Sequence, residues 1–105
     1  MKESEIEKWF VRELKKLGCI ADKFVSPGNA GVPDRIVIIP GGRIIFVELK
    51  ADKGELSEIQ KWQAARYKCR DADVRVVYGL KEAKEFVDKV KGYIDDNMRH
   101  DFKEV

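Results

Sequence analysis

The sequence predicts a small α/β domain, and three observations carry that expectation. Residues 34–39 and 43–49 are apolar stretches on either side of Pro40-Gly41-Gly42, the pattern of a β-hairpin. Ahead of them, Ile6, Phe10, Leu14 and Leu17 recur at helical spacing. Behind them come a helix signal opening at Ser57, a short strand signal in Val74–Tyr78, and a further helix signal. With 105 residues the chain can bury one modest core, so a single domain over 1–105 is expected.

Composition narrows the chemistry. With 44% apolar and 38% charged residues the chain reads as a soluble globular protein. No stretch approaches the roughly 20 apolar residues of a membrane span. The opening Met-Lys-Glu-Ser-Glu lacks the apolar centre of a signal peptide, which points to the cytoplasm. Cys19 and Cys69 make no C-x-x-C pair and are expected as buried free thiols. His100 is the only histidine and sits in a polar tail, so histidine-based catalysis, triads included, is set aside. A net charge of +2 neither demands nor forbids a nucleic-acid partner.

The first helix is expected over 3–17, stopping at Gly18. On a helical wheel Glu3 falls between Phe10 and Leu14, and Glu7 between Leu14 and Val11. These acids either complement the helix macrodipole or point towards a metal site. A strand is expected over 19–25. The loop 26–31, Ser-Pro-Gly-Asn-Ala-Gly, is either a plain connector or a place where backbone approaches a ligand.

The hairpin register decides the most. A three-residue turn pairs Ile39 with Arg43, Ile38 with Ile44, Ile36 with Phe46, and Asp34 with Glu48. A two-residue turn would slip the register and separate the two carboxylates. The three-residue register also gathers four apolar side chains on one face. Asp34 and Glu48 would then lie with β-carbons about 5 Å apart, where like charges repel. A divalent cation between them would turn repulsion into coordination, and Lys50 shares the face of Glu48. The alternative is a solvated sheet end with ordinary surface charges.

After a polar loop over 51–55, Ser57-Glu58-Ile59-Gln60 fits a capping box. Leu56, Ile59, Gln63 and Tyr67 share a helix face, with Gln60 inside that arc. Gln60 therefore either serves the cap alone or sets its amide beside a metal or phosphate. The last helix is expected over 81–97, with Ala83, Phe86, Val87, Val90 and Ile94 inward and a frayed tail over 98–105.

Clustered carboxylates with one nearby lysine suit metal-assisted phosphodiester hydrolysis. Carboxylates hold Mg²⁺ or Mn²⁺, the metal polarises the phosphate and acidifies a water, and the lysine positions that water or offsets developing charge. No histidine or thiol is required.

Pro33-Asp34 and Glu48-Leu49-Lys50 resemble the PD and E-x-K elements of the PD-(D/E)XK nuclease superfamily. The longer string of residues 31–35, 46–50 and 54–60 (Gly-Val-Pro-Asp-Arg, Phe-Val-Glu-Leu-Lys, Gly-Glu-Leu-Ser-Glu-Ile-Gln) is more specific and resembles the VRR-NUC family. The resemblance implies a restriction-endonuclease-like core, a mixed β-sheet with a central hairpin flanked by α-helices. It implies that Asp34 and Glu48, with the Leu49 carbonyl, hold Mg²⁺ or Mn²⁺, that Lys50 is catalytic, and that Gln60 belongs to the site. It also implies a first-helix acid, for which Glu7 aligns best and Glu3 is the fallback.

The short chain is similar to stand-alone bacterial and phage members, which resemble Holliday-junction resolvases and act as homodimers on branched DNA. The expectation is a metal-dependent DNA endonuclease of that kind. A nuclease of flaps, nicks or duplex DNA is the nearer alternative, and a non-catalytic DNA-binding module the more distant one. Ser26, Asn29, Lys23, Arg35, Lys53, Lys61 and Arg66 are candidate DNA contacts, and Trp9 and Trp62 candidate dimer contacts, with Trp9 equally placed to be a core edge.

Overall fold

The computed structural model describes the backbone of residues 1–104 and the side chains of residues 1–97. The elements run α1 (Glu3–Lys16), β1 (Ile20–Lys23), β2 (Arg35–Ile38), β3 (Ile44–Lys50), α2 (Glu58–Lys68), β4 (Val74–Tyr78) and α3 (Gly79–Glu104). The strands form one sheet in sequence order. β1–β2 and β2–β3 are antiparallel, whereas β3–β4 is parallel, with α2 as the crossover that a parallel pair requires. The expected α/β fold with a mixed sheet and central hairpin is therefore present.

The hairpin adopts the three-residue turn. Ile39 N donates to the Arg43 carbonyl at 2.8 Å, and Gly42 N to the Ile39 carbonyl at 2.8 Å. Gly41 and Gly42 both have positive φ, 105° and 101°, which the Pro-Gly-Gly sequence supplies without side-chain strain. Ile38 pairs with Ile44 and Ile36 with Phe46, as the turn length demands. The ladder ends at Arg35–Val47, one step short of Asp34 and Glu48.

The two faces of the sheet are covered unequally. Val37, Ile39, Ile45, Val47 and Leu49 form the fully buried face, packed with Ile6, Phe10 and Leu14 of α1 and Ala83, Phe86, Val87 and Val90 of α3. The Phe10 and Phe86 rings meet at 5.2 Å. The opposite face, with Ile36, Ile38, Ile44 and Phe46, is the thinner one. Phe24, Phe46 and Tyr67 of α2 meet there edge to face, but Ile44 stays 46% exposed. Two helices cover the first face, whereas α2 buries only Gln63 among its own residues.

Two local expectations are corrected. The helix runs on to Glu104 instead of ending at Asn97, because no Gly or Pro after Gly92 interrupts the backbone. Val105, the end of the expected tail, lies outside the described residues, as does the His100 side chain. Cys69 is exposed at the C-cap of α2, while Cys19 is buried as expected. Trp9 packs against the core, the core-edge alternative of the two that the sequence left open. Among the described residues, no helix is long and apolar enough to cross a membrane.

Candidate active site at the end of the hairpin

β3 is the longest strand, at seven residues, and it is central, between β2 and β4. Its last three residues are Glu48, Leu49 and Lys50. Glu48 is only 4% exposed and lies on the thinner face, under the N-terminus of α2. Asp34 sits just before β2, where the antiparallel continuation brings it against the end of β3. Its Oδ2 accepts a hydrogen bond from Leu49 N at 3.0 Å, which extends the ladder through a side chain.

The two carboxyls meet. The Glu48 pKa is pushed up to about 8, first by burial and then by the charge and side-chain hydrogen bond of Asp34; Glu3 adds to the rise and Lys50 opposes it. Glu48 therefore holds a proton near neutrality unless a positive charge replaces it. Gln60 completes the pocket. Its Nε2 donates to Glu48 Oε1 at 3.1 Å, while its Oε1 accepts from Ser57 N at 2.9 Å and its own N–H donates to Ser57 Oγ at 3.2 Å. Capping and site contact, which the sequence presented as alternatives, are made by one side chain at once.

The two candidate acids of the first helix have different surroundings. Glu7 turns away from the carboxyl pair, and its Oε1 accepts from Arg35 Nη2 at 2.8 Å. Arg35 follows Asp34 in the strand and so projects from the opposite face. It also donates through Nη1 to the Ala21 carbonyl at 3.1 Å, and its Nε is buried without a hydrogen-bond partner. Glu3, one turn earlier on α1, is the first-helix acid whose charge reaches Glu48. The sequence placed both acids beside the apolar stripe but not the docking of α1, which sets the end nearest the carboxyls.

The expected DNA contacts are scattered. Ser26 and Asn29 close their loop on itself, with Asn29 Nδ2 donating to Ser26 Oγ at 3.0 Å. Lys53 is exposed in the β3–α2 turn, and Lys61 is paired with Glu58 at 3.1 Å on the solvent side of α2. Lys23 is exposed at the end of β1. Arg66 is drawn inward, donating to Gln63 Oε1 at 3.1 Å and lying 5.5 Å from the Trp62 ring centre.

Gln63 is the residue that sequence reasoning passed over. It is 1% exposed, and its Nε2 donates to the Ala30 carbonyl at 2.9 Å, tying the loop before Asp34 to α2. Its place on the inward arc of α2 was the available signal. Gly31 completes the contact: its φ is 84°, and a Cβ there would lie 3.0–3.1 Å from Ile59.

Among the described residues, no three His, Cys, Asp or Glu side chains form a ready cage for a metal. The donor set that is present is nonetheless all oxygen, and the forced proton on Glu48 marks a place where positive charge is favoured. That chemistry fits a hard divalent cation better than a soft one.

A mixed four-stranded sheet between helices, with acids and a lysine at the ends of its central strands, is a restriction-endonuclease-like α/β fold. Among solved structures, the chain superposes on a "VRR_NUC domain" with a TM-score of 0.78, at 30% identity over 84% of this chain and 96% of that one. A second, a "VRR_NUC domain protein", matches with a TM-score of 0.65 at 20% identity, over 90% of this chain and 89% of that one, and shares the fold. A curated protein of Acyrthosiphon pisum secondary endosymbiont phage 1, named "Putative nuclease p44", is 52% identical over 66 residues, which are 63% of this chain and 71% of the relative. No protein-family profile matches the chain. The chain belongs to the VRR_NUC family of nucleases.

Proposed function

We propose that this VRR_NUC protein is a Mg²⁺- or Mn²⁺-dependent endonuclease that hydrolyses phosphodiester bonds in branched DNA, four-way junctions foremost, and that it works as a homodimer. The observation that carries this is the buried Glu48 carboxyl held against Asp34, with Lys50 close enough to oppose its pKa rise. A structural protein gains nothing evident from that placement, because burying two neighbouring carboxyls is costly unless positive charge joins them.

The roles divide as follows. Asp34 and Glu48 would hold the cation, with the Leu49 carbonyl and Glu3 as further oxygen donors. When bound, the cation supplies Lewis-acid polarisation of the phosphate and a more acidic water. Lys50 is the catalytic cation, positioning the attacking water or offsetting charge on the phosphate. Gln60 fixes one Glu48 oxygen by its 3.1 Å hydrogen bond and would orient the carboxylate towards a bound cation. Ser26, Asn29, Lys53 and Lys61 lie on exposed or partly exposed edges where a DNA backbone can reach them.

The homodimer follows from substrate symmetry, since one small subunit carries one such site and paired nicking of a two-fold junction needs two. Trp62, 59% exposed, and Ile59, 48% exposed, sit together on α2 as its apolar contact. A phage relative supports a viral setting and action in the host cytoplasm.

The decisive experiment incubates wild type and Lys50→Ala with labelled junction, flap and linear duplex, each with Mg²⁺, Mn²⁺ or EDTA. Metal-dependent junction cleavage by wild type alone is expected. Binding without cleavage in every metal overturns the endonuclease, and cleavage of flaps but not junctions replaces the substrate. Light scattering at micromolar protein, with and without DNA, tests the dimer; a monomer in both conditions rejects it.

A further inference from the structure

We propose that a cleft along α1, on the opposite face of the sheet from Glu48, is a second seat for the DNA backbone and receives an arm of the substrate that the carboxyl site does not hold. The proposal rests on the endonuclease reading above. The cleft has a volume of ≈ 660 Å³, and its cationic lining is Lys8, Arg12, Lys15 and Lys16 of α1 together with Arg35 of β2. The four α1 cations fall at positions i, i+4, i+7 and i+8, so they form one stripe, about 12 Å long at the helical rise per residue.

Charge decides what fits there. The whole chain carries only +2, yet the cleft gathers five cations against Glu7 and the neighbouring Glu13. Glu7 is already held by Arg35 at 2.8 Å. Glu13 contacts Lys16 at 2.8 Å and Arg12 at 3.5 Å, but those cations are 64% and 62% exposed, and such pairs yield readily to a phosphate. Among the described residues Lys8 and Lys15 make no ion pair. Unpaired cations spaced along a helix suit a chain of phosphates, where each contact adds electrostatic affinity.

Position makes nucleic acid the occupant in preference to another polyanion. The cleft begins at Glu7, one helical turn from Glu3, whose charge reaches Glu48. The cleft and the carboxyl site are thus linked through the first turns of α1 while facing opposite sides of the sheet. The molecule is only 20 Å across its thinnest axis, but the two seats lie on opposite faces of the sheet. One straight duplex cannot fill both, whereas two arms diverging from a branch point can.

The test uses the full chain with Arg12, Lys15 and Lys16 replaced by Gln, and a second variant, Lys8→Gln with Lys15→Gln, that disturbs no ion pair. Binding to a four-way junction and to a short linear duplex is followed by fluorescence anisotropy in Ca²⁺ across a salt series, with thermal melts alongside. The expected result for the triple variant is an about tenfold loss of junction affinity and a salt slope smaller by about 2–3. Duplex affinity and melting temperature should stay unchanged. A selective loss for the junction of about fivefold or more, in either folded variant, supports the second seat. Equal weakening on both substrates, or a smaller selective loss, overturns it. Failure of the nuclease reading is distinguishable, because wild type would then cut nothing in Mg²⁺ or Mn²⁺ whatever these variants bind.

Discussion

Glu48 is the residue on which the most follows. Its folded-state pKa of about 8 lies above the ordinary 4.5, so between those values the folded protein holds a proton that the unfolded chain has released. The metal-free protein should therefore lose stability as pH rises from about 4.5 to 8, by a few kcal/mol, since each pKa unit is worth about 1.4 kcal/mol. The acid side behaves oppositely at Asp73. Burial alone would raise its pKa, but hydrogen bonds from Arg75 and Arg43 outweigh that and lower it. Its contribution is present above the ordinary 3.8 and lost as pH falls through the folded value. Urea melts in EDTA across pH 3–9 check both limbs. Glu48→Gln should flatten the alkaline limb while abolishing cleavage, and a limb unchanged by Glu48→Gln would reject the assignment. Glu3 and Glu7 separate in the same way. Glu3→Gln should weaken Mn²⁺ binding by about tenfold, an effect of about 1.4 kcal/mol. Glu7→Gln should leave Mn²⁺ binding intact and cost about 1 kcal/mol of stability through the broken Arg35 pair. Calorimetric Mn²⁺ titration and melts read the two outcomes.

Among the elements, the hairpin and α2 divide what sequence could and could not convey. Pro40-Gly41-Gly42 suits a three-residue turn that also gathers the apolar side chains on one face, and length fixes register, so the pairing of Ile36 with Phe46 was legible. The buried face was not, because β2 is apolar on both sides, with Ile36 and Ile38 on one and Val37 and Ile39 on the other. Only the docking of both α1 and α3 on the second face decides it. At α2 the capping pattern was legible, but its link to Glu48 was not, since β3 and α2 meet only in the folded chain. Gln60→Ala should cost about 1–2 kcal/mol by removing a cap contact and the partner of a buried carboxyl together. Gln60→Glu can still accept from Ser57 N but sets a third carboxyl against Glu48. It should melt below wild type in EDTA and recover with Mn²⁺; a melt indifferent to metal would contradict this. Gly31→Ala should destabilise by about 1–2 kcal/mol, because it meets both a positive φ and Ile59. Thermal melts of that variant check it.

At the scale of the molecule, the α/β class, the mixed sheet and the family were readable from the string around Asp34 and Glu48. The course of α1 over the sheet was not. That course alone separates Glu3 from Glu7 and brings Glu7 to Arg35, which strand alternation had already turned to the opposite face from Asp34. The hydrogen bond from Leu49 N to Asp34 Oδ2 has a practical consequence for the assembled protein. Leu49 is 1% exposed in the central strand, so its amide proton should exchange slowly and give a persistent resonance. The position of that resonance depends on the charge of the oxygen it faces. Arrival of a cation at Asp34 would move it, while amides far from the site stay still. One peak in a nitrogen–proton correlation spectrum thus follows occupancy in the native chain, with no substitution, no DNA and no cleavage.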